Sequence, residues 1–273
     1  MSAQDVWEFT GGTVAQRRRF RQIMTLLFAN GFATVDELVT TLGVSRMTVH
    51  RDLDELHARG ALTKVRGGAT VARTENFESS WQYRHGLCLD LKRAISLAAL
   101  DLVEPGDSIM IDPSTTGYVF SQLLRRKAPL TVVTPSLPVI AELAGGEGID
   151  LYAIGGSFHP HFNCFMGDNA NQMAARFRVD KFFMSTAAVF GRAICHSKAN
   201  AIALDRALFK AAREHVLLVD SSKLGHAALH VFGDASEWDV LITDSGASSE
   251  AVEELRQYIP RVLVAEVPEA DAA

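Results

Sequence analysis

Cysteine is scarce in this chain of 273 residues: Cys88, Cys164 and Cys195 are widely spaced and odd in number. That argues against a disulfide framework and for a reducing compartment, so the cytoplasm is the expected location. Long apolar runs are missing as well. No stretch is long enough to span a bilayer, and Met1 to Thr10 is mixed and acidic without the layout of a signal peptide, so no membrane partner is expected. There is no internal repeat and no low-complexity tract. A glycine-rich dinucleotide fingerprint and a Walker lysine loop are both absent, and no cofactor is expected. His159-Pro160-His161 with Cys164 fits no strong zinc signature, so no metal site is expected. Cys195 and His196 are adjacent, and neighbours in sequence rarely point together as nucleophile and base. No catalytic residue is assigned.

What is present begins with a hydrophobic content of 48 %, enough for a packed core. The net charge of −5 conceals an asymmetry. From Gly12 to Arg73 there are ten Lys/Arg against five Asp/Glu, and the rest of the chain holds seventeen against twenty-seven. A basic module joined to an acidic body is the footprint of a small nucleic-acid reader carried on a larger domain.

The basic module has a readable organisation. Phe20, Ile23, Met24, Leu27 and Phe28 fall on one helical face, which Gly31 ends. Thr34 and Glu37 have the spacing of a capping box, ahead of a short helix with Leu38 and Leu42 on its apolar side. After Gly43, Ser45 can cap a third helix that buries Val49, Leu53 and Leu56, and Gly60 closes it. Two short helices joined by a glycine turn have helix-turn-helix spacing. Leu62 to Val65, Gly67-Gly68 and Ala69 to Val71 then read as strand, turn and strand, the wing of a winged helix. In such a motif the second helix enters the major groove of duplex DNA. Ser45, Arg46, Met47, Thr48, His50 and Arg51 are the expected contacts from that helix, and Lys64 and Arg66 from the wing. Arg17, Arg18, Arg19 and Arg21 crowd the first helix and are placed to meet phosphates.

From Lys92 onward, apolar strand-like runs alternate with helices. The runs are Ser108 to Asp112, Leu130 to Thr134, Asp150 to Gly155, Asp180 to Ala187, His215 to Asp220, Asp239 to Asp244 and Val262 to Val267. This pattern predicts an α/β domain with a mostly parallel, Rossmann-like sheet covered on both faces. The expected division is a tail over 1–12, a winged helix-turn-helix domain over 13–72, a linker over 73–91, and an effector-binding and oligomerisation domain over 92–273.

The run from Arg17 to Ala69 resembles the N-terminal domain of DeoR-type bacterial transcription regulators, through Val44-Ser45, Met47-Thr48-Val49, Arg51-Asp52-Leu53, Asp54-Glu55-Leu56 and Gly67-Gly68-Ala69. The rest of the chain is similar to the same family. The resemblance implies an effector domain related to sugar-phosphate isomerases. It also implies repression of a carbohydrate catabolic operon, relieved when a phosphorylated intermediate binds. Asp112-Pro113-Ser114-Thr115-Thr116, Thr134-Pro135-Ser136, Gly155-Gly156 and Asp220-Ser221-Ser222-Lys223 resemble the family's strand-end loops. Ligands of open parallel sheets sit at that edge, where helix N-termini and hydroxyls favour phosphate. The expected effector contacts are therefore Asp112, Ser114, Thr115, Thr116, Thr134, Ser136, Gly155, Gly156, Asp220, Ser221, Ser222 and Lys223, with Lys223 the one full positive charge among these loops. Small hydroxyl residues also cap helices, which is the plainer explanation of several of them.

The chain departs from the family pattern at several places. Pro113-Ser114 replace a glycine pair, Pro135 an asparagine, Thr186-Ala187-Ala188 an Ala-Asp-Gly element, and Ala201 and Asp205 a glutamate and a lysine. Some polar contacts of the usual pocket are expected to be missing. The reading is a non-enzymatic regulator that binds double-stranded operator DNA as a homo-oligomer, dimer or tetramer, under control of a small anionic carbohydrate. Two alternatives stay open: an isomerase- or transferase-like enzyme carrying a DNA-binding domain, and an activator.

Overall fold

The structure is a computed structural model that describes residues 13–30, 32–58, 62–70 and 81–267. The expected tail, residues 73–80 of the expected linker, and the helix-ending Gly31 and Gly60 lie outside the described residues. Two compact units divide at Leu87 and Cys88.

The first unit contains α1 (Val14–Asn30), β1 (Phe32–Thr34), α2 (Val35–Leu42), α3 (Arg46–Ala58), β2 (Thr63–Val65), β3 (Gly68–Thr70) and α4 (Trp81–His85). Local chemistry fixes each boundary. The Thr34 hydroxyl accepts from the Glu37 N–H at 3.1 Å, and the Glu37 carboxylate accepts from the Thr34 N–H at 2.8 Å, completing the capping box. Gly43 ends α2 in the left-handed region at φ 64°, with its N–H bonded to the Val39 carbonyl at 3.0 Å. The Ser45 hydroxyl accepts from the Thr48 N–H at 3.2 Å in the first turn of α3. Phe20, Ile23, Met24 and Leu27 of α1 meet Leu38, Val49, Leu53 and Leu56 in one buried cluster.

The wing is larger than a two-stranded hairpin. β3 pairs antiparallel with both β1 and β2, so Phe32–Thr34, which was not expected as a strand, forms its far edge. Three residues are too short a run to show a period of two. At Gly68, a Cβ atom would stand 2.2 Å from the Ala33 carbonyl oxygen.

The second unit begins at Cys88 and opens with α5 (Leu89–Leu100), whose first residue precedes Lys92 by three positions. There follow β4 (Ser108–Ile111), α6 (Thr115–Ser121), β5 (Leu130–Thr134), α7 (Leu137–Leu143), β6 (Ile149–Ala153), β7 (Ser157–His159), β8 (Cys164–Met166), α8 (Asp168–Ala174) and β9 (Val179–Ser185). The remainder is β10 (Ala188–Phe190), β11 (Ala193–His196), α9 (Ala199–Phe209), β12 (Ala212–Leu218), β13 (His230–Asp234), β14 (Val240–Asp244), α10 (Ser249–Arg256) and β15 (Arg261–Ala265).

All seven expected strands join one parallel sheet in the order β15-β14-β12-β9-β4-β5-β6. Side chains alternate across it. Ile109, Ile111, Phe183, Val216, Leu218, Val240 and Ile242 enter the core shared with α5, α6 and α7. Met110, Phe182, Met184, Leu217 and Leu241 enter the core that also holds buried residues of α8, α9 and α10. Burial on both faces explains the near-continuous apolar runs. The chain lays down β4, moves outward to β5 and β6, then returns to place β9 on the other side of β4. Two smaller antiparallel elements were not expected, the hairpin β7-β8 and the sheet β10-β11-β13. No helix among the described residues is long and apolar enough to cross a membrane.

The tight approach at Gly68 yields a first prediction. Gly68→Ala drives a methyl group against the Ala33 carbonyl and should separate β1 from β3. The expected loss is roughly 1–3 kcal/mol, typical of overpacking. Urea denaturation followed by circular dichroism checks it, and an unshifted midpoint for the first unit contradicts it.

Candidate functional site

Each unit presents one candidate surface. On α3, Val49, Leu53 and Leu56 are fully buried, which turns Met47, His50, Arg51 and Asp54 outward. Their i, i+3, i+4, i+7 spacing makes them one face. Met47 is 72 % exposed, an apolar side chain standing in solvent where a thymine methyl group would cover it. His50, Arg51 and Arg66 are exposed and make no ion pair among the described residues. Two other expected contacts are already engaged. Arg46 pairs with Asp36 of α2, and Lys64 of β2 pairs with Asp54 of α3. Ser45 and Thr48 share a hydrogen bond of 2.9 Å between their hydroxyls.

Arg19 requires a correction. It was expected to meet phosphates, yet its Nε donates to Asp52 Oδ2 at 2.6 Å and its Nη2 to Oδ1 at 3.0 Å. Asp52 is only 1 % exposed, because it shares the inward face of α3 with Val49 and Leu53. A carboxylate buried there needs a cation, and Arg19 is the one supplied. That hydrogen bond holds the Arg19 guanidinium above its ordinary pKa. The signal in the sequence was an acid at a core position of the helix opposite an arginine-rich helix. Arg18 is exposed, and the side chains of Arg17 and Arg21 lie outside the described residues.

In the second unit, winding reverses between β4 and β9, and the chemistry gathers at their carboxyl ends. The Asp112 carboxylate accepts from the Ser114 hydroxyl at 2.6 Å and from the Ser185 N–H at 3.0 Å. The Ser114 hydroxyl also accepts from the Gly117 N–H at 2.9 Å, capping α6. Lys223 reaches the Ser185 hydroxyl at 3.1 Å and the Asp220 carboxylate at 3.4 Å. Ser222 donates to Asp220, and the Ser221 N–H donates to Asp244 Oδ2 at 2.7 Å. Asp112, Ser114, Asp220, Ser222 and Lys223 therefore converge as expected, and Ser185 joins them.

Lys223 is the one lysine or arginine among the expected loops, and a second cation comes from outside them. Lys92 of α5 is 3 % exposed, and its charge acts on both Asp220 and Cys88. It escaped sequence reading because it lies on a helix and not in a strand-end loop. Burial pushes the Asp220 carboxyl up, but Lys223, Ser222 and Lys92 together hold it below the ordinary carboxylate range. Asp112 behaves oppositely: burial drives its pKa to about 6 against the hydrogen bonds from Ser114 and Ser185.

Thr134 is also corrected. Its fully buried hydroxyl donates to the Ile111 carbonyl at 2.9 Å and accepts from the Ser136 N–H at 3.1 Å, so it ties β5 to β4. The hydroxyls of Thr116 and Ser136 are buried without a hydrogen-bond partner, and Thr115 is buried beside Thr116. Gly155 and Gly156 are exposed and lead into the β7-β8 hairpin. That hairpin is stitched to the Pro135–Ser136 loop, with the Phe165 N–H on the Pro135 carbonyl at 3.0 Å. Its turn carries His159, His161 and Phe162, and Phe162 lies 6.3 Å from the His196 ring. His196 faces Asp205 at 3.9 Å. Asp205 and Ala201 are both buried, and Ala187 bonds through its N–H to the Cys195 carbonyl at 3.2 Å. Among the described residues no group of three or more His, Cys, Asp or Glu side chains is arranged to hold a metal ion.

Two open cavities lie away from this edge. One, of about 420 Å³, is bounded by Gly106, Pro129, Leu130, Thr131, Gly148, Ile149 and Asp150 at the amino ends of the strands. The other, of about 340 Å³, lies against α9 and includes Arg178, Arg206 and Lys210. Neither gathers hydroxyls, helix starts and a buried cation as the carboxyl edge does.

Asp112 supplies a pH prediction. Its folded pKa of about 6 exceeds the ordinary 3.8, so the folded state holds this proton more tightly. The contribution is full below about pH 4 and is lost as pH rises through about 6. The stability gap between wild type and Asp112→Asn should therefore fall by about 2–3 kcal/mol from pH 4 to pH 7.5. Urea denaturation at both pH values reads it, and a constant gap contradicts it.

Comparison with known proteins follows the same division. Residues 19–75 match the DeoR-like helix-turn-helix domain, and residues 88–245 match the DeoR C terminal sensor domain. The chain is 33 % identical to a lactose phosphotransferase system repressor of Staphylococcus epidermidis, over 88 % of this chain and 96 % of the relative. It is 28 % identical to a putative aga operon transcriptional repressor of Escherichia coli O157:H7, over 88 % of this chain and 90 % of that protein. Among solved structures, ribose 5-phosphate isomerase A from Methanocaldococcus jannaschii aligns at 20 % identity and a TM-score of 0.38, over 50 % of this chain and 54 % of that one. That superposition is too slight to argue from.

Proposed function

The chain belongs to the DeoR family of DNA-binding transcription regulators, and from that premise we propose that it represses a carbohydrate catabolic operon and leaves its operator when a small phosphorylated sugar or sugar derivative binds. The observation that carries this reading is the outward face of α3, where exposed His50 and Arg51 make no ion pair among the described residues and stand beside an exposed Met47. Arginine reads guanine with two hydrogen bonds, and an apolar side chain reads the thymine methyl group. Arg46, Lys64 and Arg66 flank that face, with Ser45 and Thr48 in the first turn of the helix. One winged helix buries little DNA surface, so two or more copies reading repeated half-sites accompany the proposal.

The effector is assigned to the carboxyl edge between β4 and β9. Lys223 and Lys92 bring positive charge, Ser114 and Thr115 begin α6, and the hydroxyls of Thr116 and Ser136 lack partners that a ligand would supply. The repressors of lactose phosphotransferase systems among the relatives agree with a sugar-derived signal. The preference for a sensor over an enzyme rests on the match of residues 88–245 to the DeoR C terminal sensor domain.

Arg51→Ala should weaken binding to a selected operator by ~1–3 kcal/mol in an anisotropy titration. A sugar phosphate that releases wild-type protein from DNA should raise its melting temperature and should raise that of Lys223→Ala much less. Unchanged operator affinity in Arg51→Ala, or equal stabilisation of both proteins by a true inducer, would overturn the respective assignment. A monomer by light scattering on operator DNA would remove the half-site reading.

A further inference from the structure

The reading face of α3 holds a residue that a DNA-binding surface does not need for affinity. Asp54 lies on it at i+7 from Met47 and i+4 from His50, and it is exposed. Its carboxylate takes the Lys64 ammonium, and the charges of His50 and His57 also act on it. At the start of the same helix Asp36 takes the Arg46 guanidinium, with both side chains largely exposed. These two pairs differ from Arg19–Asp52, which is buried and structural. Of the cations expected from α3 and the wing, Arg46 and Lys64 are thus held by acids, while His50, Arg51 and Arg66 make no ion pair among the described residues.

A duplex presents a dense row of phosphates, and every free lysine or arginine adds affinity for any sequence. A carboxylate within the contact surface removes its partner cation from that contribution and repels the phosphates besides. We propose that Asp54, assisted by Asp36, is a selectivity residue: it suppresses binding to random DNA by keeping Lys64 and Arg46 occupied. Exchange of the carboxylate for a phosphate is repaid only in the close docking that the correct base sequence permits. Surface pairs of this kind are weak, so the device tunes discrimination without locking the wing. The inference rests on the contact face proposed above.

The test compares wild type, Asp54→Asn, Asp54→Glu and Asp36→Asn/Asp54→Asn on two duplexes across a salt series. One duplex is selected from a random library by the wild-type protein, and the other is of random sequence. Asp54→Asn should raise affinity for the random duplex roughly threefold or more and make its salt dependence steeper by about 0.9, the signature of one more phosphate neutralised. The double variant should add a comparable step, while Asp54→Glu should leave both quantities near wild type. Lys64→Ala should cost more random-duplex affinity in the Asp54→Asn background than in wild type. Unchanged random-duplex binding in Asp54→Asn overturns the proposal. So does a loss confined to the selected duplex, which would make Asp54 a reader of cytosine instead. If wild type itself fails to distinguish the two duplexes, the contact-face reading fails and this inference goes with it.

Discussion

A parallel sheet that reverses its winding beside a central strand leaves an opening where the flanking loops part, and here that opening falls between β4 and β9. Everything in the second unit that has chemical interest is placed by this constraint. Asp112 ends β4 and bonds across to Ser185 at the end of β9. Lys223 follows β12, the next strand outward, and reaches back to Ser185 and Asp220. Because α6 begins three residues after Asp112, its hydroxyl-rich start faces the same edge. Asp112, Ser185 and Lys223 are far apart in sequence. The order of strands is what brings them together.

Carboxylates organise cations in both units, in three different ways. Asp52 is buried and takes Arg19, and the pair fastens the recognition helix to α1. Removing one partner of such a pair leaves an uncompensated buried charge, so its function is fixed by its burial. Asp54 and Asp36 are exposed and take Lys64 and Arg46, where solvent makes the exchange for another anion inexpensive. Asp220 is buried, and the charges of Lys223 and Lys92 both act on it.

Much of this was legible in the sequence. The capping box at Thr34 and Glu37, the glycine turn at Gly43 and the inward face of Val49, Leu53 and Leu56 all stand where spacing places them. All seven parallel strands were visible because burial on both faces makes each a continuous apolar run. What escaped has physical causes. β1, β7, β8 and β10 have three residues each, fewer than a period of two needs to declare itself. The β10-β11 hairpin did carry a signal, Gly191 at φ 54°, which was masked by the apolar run that precedes it. Lys92, Asp52 and Thr134 were misread or missed for one shared reason. A polar residue on a core-facing position looks like an exception until its partner is known, and the partners lie on other elements. Legibility of the site was therefore lower than that of the fold.

The departures from the family pattern take on a shape in the structure. The family's lysine position carries Asp205, and a histidine, His196, stands 3.9 Å from it. The turn of the β7-β8 hairpin adds His159 and His161 around Phe162, which in turn lies beside His196. The loops at the Asp112 and Lys223 end keep their hydroxyls and cations, the groups suited to phosphate. Control of DNA binding adds one more requirement. A ligand shifts an equilibrium only by its difference in affinity between two arrangements. Lys92 belongs to both questions: its charge acts on Asp220, and it lies in the first turn of α5, immediately after the division at Leu87 and Cys88. On the effector reading proposed above, an anion competing with Asp220 for Lys92 acts on α5, the helix that opens the second unit.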